Sequence, residues 1–143
     1  MKRIRITPPD TIHTTIQLPS SKSICNRALL IHALSQGDCA LENLSDCDDT
    51  RVMVRALQAL SPTIDIMAAG TAMRFLTAFL SVTEGTHLIT GTERMRQRPI
   101  QILVDALRSL GACIEYAGEE GFPPLRITGR SLTQREISLP GHV

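Results

Sequence analysis

An internal duplication with a period near fifty residues runs through most of the chain. Ile16-Gln17-Leu18 aligns with Ile64-Asp65-Ile66 at a shift of 48 positions, and Gly37 aligns with Gly85 at the same shift. The segments 56–60 and 106–110 align at a shift of 50 positions instead of 48. The second copy therefore contains two additional residues before this segment. Such a period is typical of one supersecondary unit used repeatedly, each copy needing neighbours to bury its apolar face. We therefore predict repeat units at about 14–62 and about 63–130, with 131–143 beginning a further unit.

The hydrophobic pattern predicts strands that alternate with helices, and hence an α/β (α+β) fold. The predicted strands cover residues 3–7, 14–18, 39–44, 63–67, 86–90, 113–116, 125–128 and 136–139. One helix is predicted over 23–35, before Gly37, and a second is capped by Asp46 or Asp48 and ends before Pro62. A third begins at Gly70 and ends before Gly85, and a fourth begins at Pro99 and is closed by Gly111.

The composition argues against several classes of protein. The formal net charge is +1, from 15 basic and 14 acidic residues, and Trp is absent, so neither nucleic acid nor an anionic membrane is indicated as a partner. The four cysteines lack C-x-x-C spacing and indicate reduced thiols in a cytoplasmic protein. A zinc site from Cys39, Cys47, Asp48 and a histidine has no fixed spacing and is not predicted. Neither a secretory signal nor a membrane-spanning segment is predicted.

The first predicted helix begins with cationic and hydroxyl side chains, in residues 19–27. A lysine in the first helical turn is unfavourable, because unpaired N–H groups and the positive end of the helix dipole already lie there. Lys22 is therefore expected to face a bound anion. Ser23 and Arg27, four residues apart, share one face of the helix and are suited to hold a phosphate-sized group. Ser20 or Ser21 also has the simpler interpretation of a helix cap.

The helix that begins at Gly70-Thr71 occupies the equivalent place in the second unit. Two helix N-termini pointing into one cleft would suit substrates that carry at least two acidic groups, and Arg98 adds a cation at a third helix start. Arg27 and Arg74 lie at similar depths along these two helices and would suit two neighbouring anion sites. Simpler interpretations stay open: Gly70-Thr71 as an ordinary turn and cap, and Arg74 as the partner of a carboxylate. The remaining charged residues are interpreted as solvated loop charges (Arg94, Arg96) and as caps beside Arg51 (Asp46, Asp48, Asp49).

Five motifs in order along the chain together resemble the 5-enolpyruvylshikimate-3-phosphate synthase family. They are residues 19–27, Ala69-Gly70-Thr71-Ala72-Met73-Arg74, Arg94-Met95 with Arg98-Pro99-Ile100, residues 107–111, and Gly121-Phe122-Pro123-Pro124-Leu125. The resemblance covers essentially the whole chain, yet it matches only the N-terminal part of an enzyme that is several times longer. It implies a fold of two domains, each built from three βαβαββ units, with the active site between them. The duplication fits two of those units.

The resemblance also implies an activity and residue roles. The family transfers the enolpyruvyl group of phosphoenolpyruvate to the 5-hydroxyl of shikimate 3-phosphate with release of phosphate, and it uses no metal or other cofactor. Lys22 is implied to be catalytic and to contact both substrates, and Ser23 and Arg27 to bind shikimate 3-phosphate. Gly70, Thr71 and Arg98 are implied to bind phosphoenolpyruvate. The proton-transferring carboxylates of the other domain are not in this chain, so we expect weak anion binding and no turnover.

Two departures from the family pattern bear on substrate geometry, and two other functions stay open. Ala68 stands where the family usually has Asn, and the segment 60–68 is shorter than in many members. One alternative is an enolpyruvyl transferase acting on UDP-N-acetylglucosamine, and the other is a non-catalytic phosphate-binding module. The final residues 139–143 end on a strand and a turn, which suggests truncation and a missing C-terminal domain as partner.

Overall fold

A four-stranded sheet and five helices make up the secondary structure of the residues that the computed structural model describes, which are 3–35, 39–134 and 136–137. The strands are β1 (Thr63–Asp65), β2 (Thr86–Thr90), β3 (Cys113–Tyr116) and β4 (Leu125–Thr128). The helices are α1 (Lys22–Ser35), α2 (Asp48–Ala59), α3 (Gly70–Val82), α4 (Glu93–Arg96) and α5 (Gln101–Ser109). The predicted mixed α/β class is confirmed.

The sheet has the strand order β1-β2-β4-β3. β1 and β2 are parallel, with Ile64 opposite Ile89, and α3 provides the crossover between them. β4 pairs antiparallel with both β2 and β3. Alternate residues of β2 and β4 are buried, as period-two side-chain placement requires for a sheet covered on one face.

Helix α3 forms the centre of the hydrophobic core. It contacts α1 and α2 as well as β2, β4 and α5, so it lies between the α1–α2 pair and the sheet. Its buried apolar side chains include Met73, Leu76 and Leu80, and its buried hydroxyls donate along the helix, from Thr77 to the Met73 carbonyl and from Ser81 to the Thr77 carbonyl, both at 2.7 Å. Apolar residues all round are typical of such a central helix. The position of α3 is thereby fixed, and with it the position of its N-terminus.

The predicted C-terminal stop of α5 is confirmed in detail. Gly111 has φ 103°, its N–H donates to the Arg108 carbonyl at 2.9 Å, and the Ala112 N–H donates to the Leu107 carbonyl at 3.0 Å. This pair of bonds is the Schellman motif, which needs a residue in the left-handed region and so favours glycine. The same stop leads directly into β3.

Three predicted strands are not formed: residues 3–7, 14–18 and 39–44 contain no strand. A strand needs a neighbour for its N–H and C=O groups, and in the described part of the chain no other strand pairs with these segments. The large aliphatic side chains of the first two are 74–86% exposed (Ile4, Ile6, Ile16, Leu18). In the third, Asn43 has φ 54°, which bends the chain out of a strand conformation.

Two predicted helix starts were also wrong. The N-cap of α2 is Cys47, without a side-chain cap bond, because the Asp46 carboxylate accepts from Arg51 Nε at 2.9 Å instead. The last long helix begins at Gln101 rather than Pro99, since Ile100 has the non-helical φ of −134°. Arg94 and Arg96 lie on the one-turn α4, not in a loop, and they are exposed as expected.

The repeat units stay a prediction. The segment 63–130 contains strands β1, β2, β3 and β4, whereas the segment 14–62 contains two helices. Gly37, the predicted stop of α1, lies outside the described residues, as do most positions of 131–143, including the second half of the strand predicted at 136–139, whose first half is not in a strand. None of the helices in the described ranges is long and apolar enough to span a membrane.

Candidate active site

The first turn of α1 places Lys22 beside a carboxylate. The helix begins at Lys22, and the Ser21 carbonyl accepts the bond from the Cys25 N–H at 3.0 Å. Lys22 Nζ lies 3.2 Å from Asp49 Oδ1, in the first turn of α2. The lysine at this unfavourable helix start is therefore compensated by an anionic group from a neighbouring helix.

Arg27 lies one turn after Ser23, on the same face of α1. Its Nη1 donates to the Ser23 carbonyl at 2.9 Å, and its guanidinium carbon lies 5.4 Å from the centroid of the Phe75 ring on α3. The cation–π contact and the hydrogen bond hold the guanidinium between α1 and α3. Ser23 and Arg27 thus share one face, as the i, i+4 spacing predicted.

The N-terminus of α3 is open to the same space. Ala69 is its N-cap and supplies no side-chain acceptor, so the first N–H groups of the helix lack a side-chain cap. The approach to the helix is a tight connection in which Met67 has φ 54° and Asp65 Oδ1 accepts from the Met67 N–H at 2.8 Å. A left-handed conformation at Met67 is unusual for a residue with a side chain. It turns the chain from β1 into the start of α3.

Arg98 lies directly against Gly70. A Cβ atom added to Gly70 would collide with Arg98 Nη1 and lie 3.0 Å from its Cζ. Gly70 is buried, and the absence of a side chain is what lets the guanidinium approach the start of α3. The two residues that the resemblance implies for one substrate thus lie in contact, although 28 positions separate them in the sequence.

All six residues predicted to bind substrate line one cavity of about 400 Å³. They are Lys22, Ser23, Arg27, Gly70, Thr71 and Arg98, and the cavity is also lined by Asp49, Ala68, Arg74 and Phe75. Four cationic side chains face one carboxylate, so the cavity is strongly electropositive. Forked guanidinium donors and uncapped helix N–H groups are suited to carboxylate and phosphate groups. A larger cavity of about 780 Å³ adjoins it and shares Asp49 and Ala68.

Three residues of this cavity were missed or misinterpreted from the sequence. Asp49 was interpreted as a cap, but it pairs with Lys22. For Arg74 a carboxylate partner was the simpler interpretation left open, whereas in the structure it donates to the carbonyls of Gly70 and Pro99, each at 3.2 Å. Phe75 was not singled out from the sequence. The i, i+4 spacing of Gly70 and Arg74 was the one signal that could have found any of these contacts.

A hydrogen-bonded network lies behind Asp49 at the start of α2. The Ser45 N–H donates to Cys25 Sγ at 3.1 Å, and Thr50 Oγ1 donates to Asn26 Oδ1 at 3.4 Å. Cys47 Sγ lies 3.3 Å from Thr50 Oγ1, and the side-chain hydrogen bonds of Thr50 and then Ser45 lower the pKa of the Cys47 thiol. The network ties α2 to α1, and with it the Asp49–Lys22 pair.

Comparisons with known proteins place this geometry in a family. The sequence profile of EPSP synthase (3-phosphoshikimate 1-carboxyvinyltransferase) matches residues 6–67 and 61–142. A 3-phosphoshikimate 1-carboxyvinyltransferase of Bacteroides fragilis (strain YCH46) is 68% identical over 99% of this chain. One of Photobacterium damsela subsp. piscicida is 40% identical over 100% of it.

The fold comparison agrees. The solved EPSP synthase from Acinetobacter baumannii superposes with a TM-score of 0.75 over 87% of this chain, at 22% identity. The chain spans 34% of the Bacteroides relative, 40% of the Photobacterium relative and 34% of the Acinetobacter structure. Profile, sequence and fold agree that this chain belongs to the EPSP synthase family, of whose members it spans about a third.

Proposed function

We propose that this chain supplies one half of an active site that transfers the enolpyruvyl group of phosphoenolpyruvate to the 5-hydroxyl of shikimate 3-phosphate. In this reaction the hydroxyl oxygen bonds to the enolpyruvyl carbon and the bond from that carbon to the phosphate oxygen breaks. The phosphate leaves, and the hydroxyl proton ends on it as hydrogen phosphate. The observation that carries the proposal is the convergence of Lys22, Arg27 and Arg98 on one cavity that also receives the start of α3.

Phosphoenolpyruvate fits the side of the cavity formed by α3 and Arg98. It carries a carboxylate and a phosphate, and the guanidinium fork of Arg98 beside the N–H groups of Gly70 and Thr71 offers donors for both. Because these donors are already in place, they stabilise the departing phosphate without having to reorganise. Ala68 at the rim removes an amide that family members usually present there.

Shikimate 3-phosphate fits the side formed by α1. Ser23 and Arg27 lie on the cavity-facing side of the helix, and Lys22 lies where both substrates would meet. We assign to Lys22 the contact with both substrates and a part in proton transfer, since its ammonium has three donors at the centre of the site. A bound phosphate would compete with Asp49 for that ammonium.

The remaining part of the active site would come from a partner. The relatives are about three times longer than the matched region, so we propose that the segment they carry beyond it provides the missing groups. The chain alone would bind anions weakly and would not turn over. We further propose a cytoplasmic location, in keeping with the four free thiols of Cys25, Cys39, Cys47 and Cys113.

Titration of the ¹⁵N-labelled chain with shikimate 3-phosphate tests the proposal. We expect chemical-shift changes clustered at residues 20–27, and an affinity about ten- to a hundredfold lower in Lys22→Ala and Arg27→Ala, because each removes a charge-assisted hydrogen bond. Arg55→Ala is the matched control, since Arg55 is exposed on α2 and does not line the 400 Å³ cavity.

Two results would contradict the proposal. One is a folded sample whose spectrum does not change with shikimate 3-phosphate or phosphoenolpyruvate. The other is a response to UDP-N-acetylglucosamine at residues 20–27 that exceeds the response to shikimate 3-phosphate. The second result would favour the amino-sugar transferase.

A further inference from the structure

We propose that Arg74 is a positioning residue that holds Arg98 over Gly70, and so builds the phosphoenolpyruvate side of the cavity before any ligand arrives. The inference rests on the proposed function for the identity of the ligand. The positioning itself is a property of the free protein.

The side chain of Arg74 bridges two segments that are distant in the sequence. Its Nη1 donates to the Gly70 carbonyl at 3.2 Å, and its Nη2 donates to the Pro99 carbonyl at 3.2 Å. Gly70 is the first residue of α3, and Pro99 directly follows Arg98. One guanidinium therefore connects the start of α3 with the segment that carries Arg98.

The segment around Arg98 has one anchor on each side of this bridge. The Arg98 N–H donates to the Met95 carbonyl at 3.1 Å, and the Ile100 N–H donates to the Gly121 carbonyl at 2.9 Å. Pro99 has no N–H to donate, so its carbonyl is the one backbone group through which it can be held. Within the described ranges, Arg74 has no carboxylate within salt-bridge distance. Its guanidinium donates to two backbone carbonyls instead.

Charge repulsion explains why the segment that carries Arg98 needs to be restrained. The guanidinium of Arg98 lies against the positive end of the α3 dipole, and Lys22, Arg27 and Arg74 line the same cavity. Without a bound anion these charges repel Arg98, which is exposed and able to turn into solvent. Fixing its backbone at Pro99 restricts that movement, and a donor that is already placed binds its ligand more tightly than one that must be ordered first.

The test compares Arg74→Gln and Arg74→Lys with Arg126→Gln in the 143-residue chain. Arg126 is exposed on β4 and lies outside the cavity lining, so its substitution removes the same charge without the bridge. The first measurement, without ligand, is the nuclear Overhauser contact between the Gly70 α-protons and the Arg98 side chain. The second is the dissociation constant for phosphoenolpyruvate.

In Arg74→Gln we expect the Gly70–Arg98 contact to weaken, because the hydrogen bonds to the Gly70 and Pro99 carbonyls are lost. The dissociation constant for phosphoenolpyruvate should rise about tenfold, a change of the size that the loss of one or two hydrogen bonds produces. Arg74→Lys should recover little of either, because a single ammonium replaces a rigid fork. Arg126→Gln should match the wild type in both measurements.

Three results would overturn the inference: an unchanged Gly70–Arg98 contact in Arg74→Gln, wild-type affinity in Arg74→Lys, or equal losses in Arg74→Gln and Arg126→Gln. If the wild-type chain does not bind phosphoenolpyruvate at all, the proposed function fails for this chain. The ligand-free contact then still decides whether Arg74 positions Arg98.

Discussion

At the scale of single residues, the cavity depends on a close approach that only glycine allows. The Arg98 guanidinium occupies the space where a side chain at position 70 would begin. Gly70 lies in the first turn of α3, so the same position also decides how near a ligand can come to the helix N–H groups. A side chain at position 70 would therefore affect both the position of the Arg98 guanidinium and the access of a ligand to the N–H groups of α3.

We expect Gly70→Ala to weaken phosphoenolpyruvate binding at least tenfold while leaving the fold intact. The added methyl group collides with Arg98, and the end of that flexible side chain can move away, which costs the ligand one charged donor. Calorimetric titration and thermal unfolding of the same samples separate the two effects. Gly118→Ala is the matched control, because its Cβ would lie 3.4 Å from Pro124 Cδ, an ordinary contact. Equal affinity of Gly70→Ala and wild type would contradict this account.

A lysine at a helix start is a local anomaly with few physical remedies, and Lys22 could be predicted in that way. Gly70, Thr71 and Arg98 were predicted mainly through the family resemblance, supported by the equivalent helix starts of the two units. Asp49 was not, because a carboxylate in a first helical turn is ordinary, and only the packing of α2 on α1 shows that it faces Lys22. The contact of Arg74 with Pro99 spans 25 positions and left no signal in the sequence.

At the scale of elements, the start of α2 combines a helix N-terminus with a thiol. Cys47 occupies the N-cap, and Thr50 lies three residues later with its hydroxyl 3.3 Å from the sulfur. The Thr50 hydroxyl and then Ser45 lower the pKa of Cys47, while burial and the Asp49 carboxylate oppose them. The balance lowers the pKa of the Cys47 thiol below its ordinary value.

We therefore expect alkylation of Cys47 by iodoacetamide to begin at lower pH than alkylation of an ordinary thiol, since the thiolate is the reactive form. Thr50→Val removes the hydroxyl and should move the midpoint of the alkylation profile to higher pH. Thr50→Ser keeps a hydroxyl and should stay near the wild type. Peptide mass spectrometry follows Cys47 separately from the other thiols, and coincident profiles for the Val and Ser variants would refute the role of Thr50.

Elements were predicted well where the evidence for them is local and poorly where it is not. The helices carry their own apolar faces and end near the predicted residues, and β2, β3 and β4 are found at the predicted bounds. A strand, in contrast, exists only with a neighbour, and the alternating apolar pattern of residues 3–7 and 14–18 says nothing about whether one is present. These segments have strand-like sequences without a partner in the described part of the chain.

At the scale of the whole molecule, α1 presents an apolar face to solvent. Ile24, Ile31 and Leu34 are 70%, 66% and 54% exposed, and their spacing places them along one side of the helix. An exposed aliphatic stripe of this kind marks an interaction surface. Since about two thirds of the Bacteroides fragilis relative lies outside the matched region, we expect that additional part to cover this face.

Reconstitution with that segment tests the expectation. We expect this chain, co-produced with the part of the Bacteroides fragilis relative that lies outside the matched region, to form enolpyruvyl transfer activity that neither piece has alone. Ile31→Asp should lower the recovered activity at least tenfold, because docking would bury an unpaired carboxylate. Ile102→Asp, the same change at a 46% exposed isoleucine on α5, is the matched control. Circular dichroism confirms that both variants fold, and equal activity of the Ile31→Asp and Ile102→Asp complexes would show that the α1 face is not the docking surface.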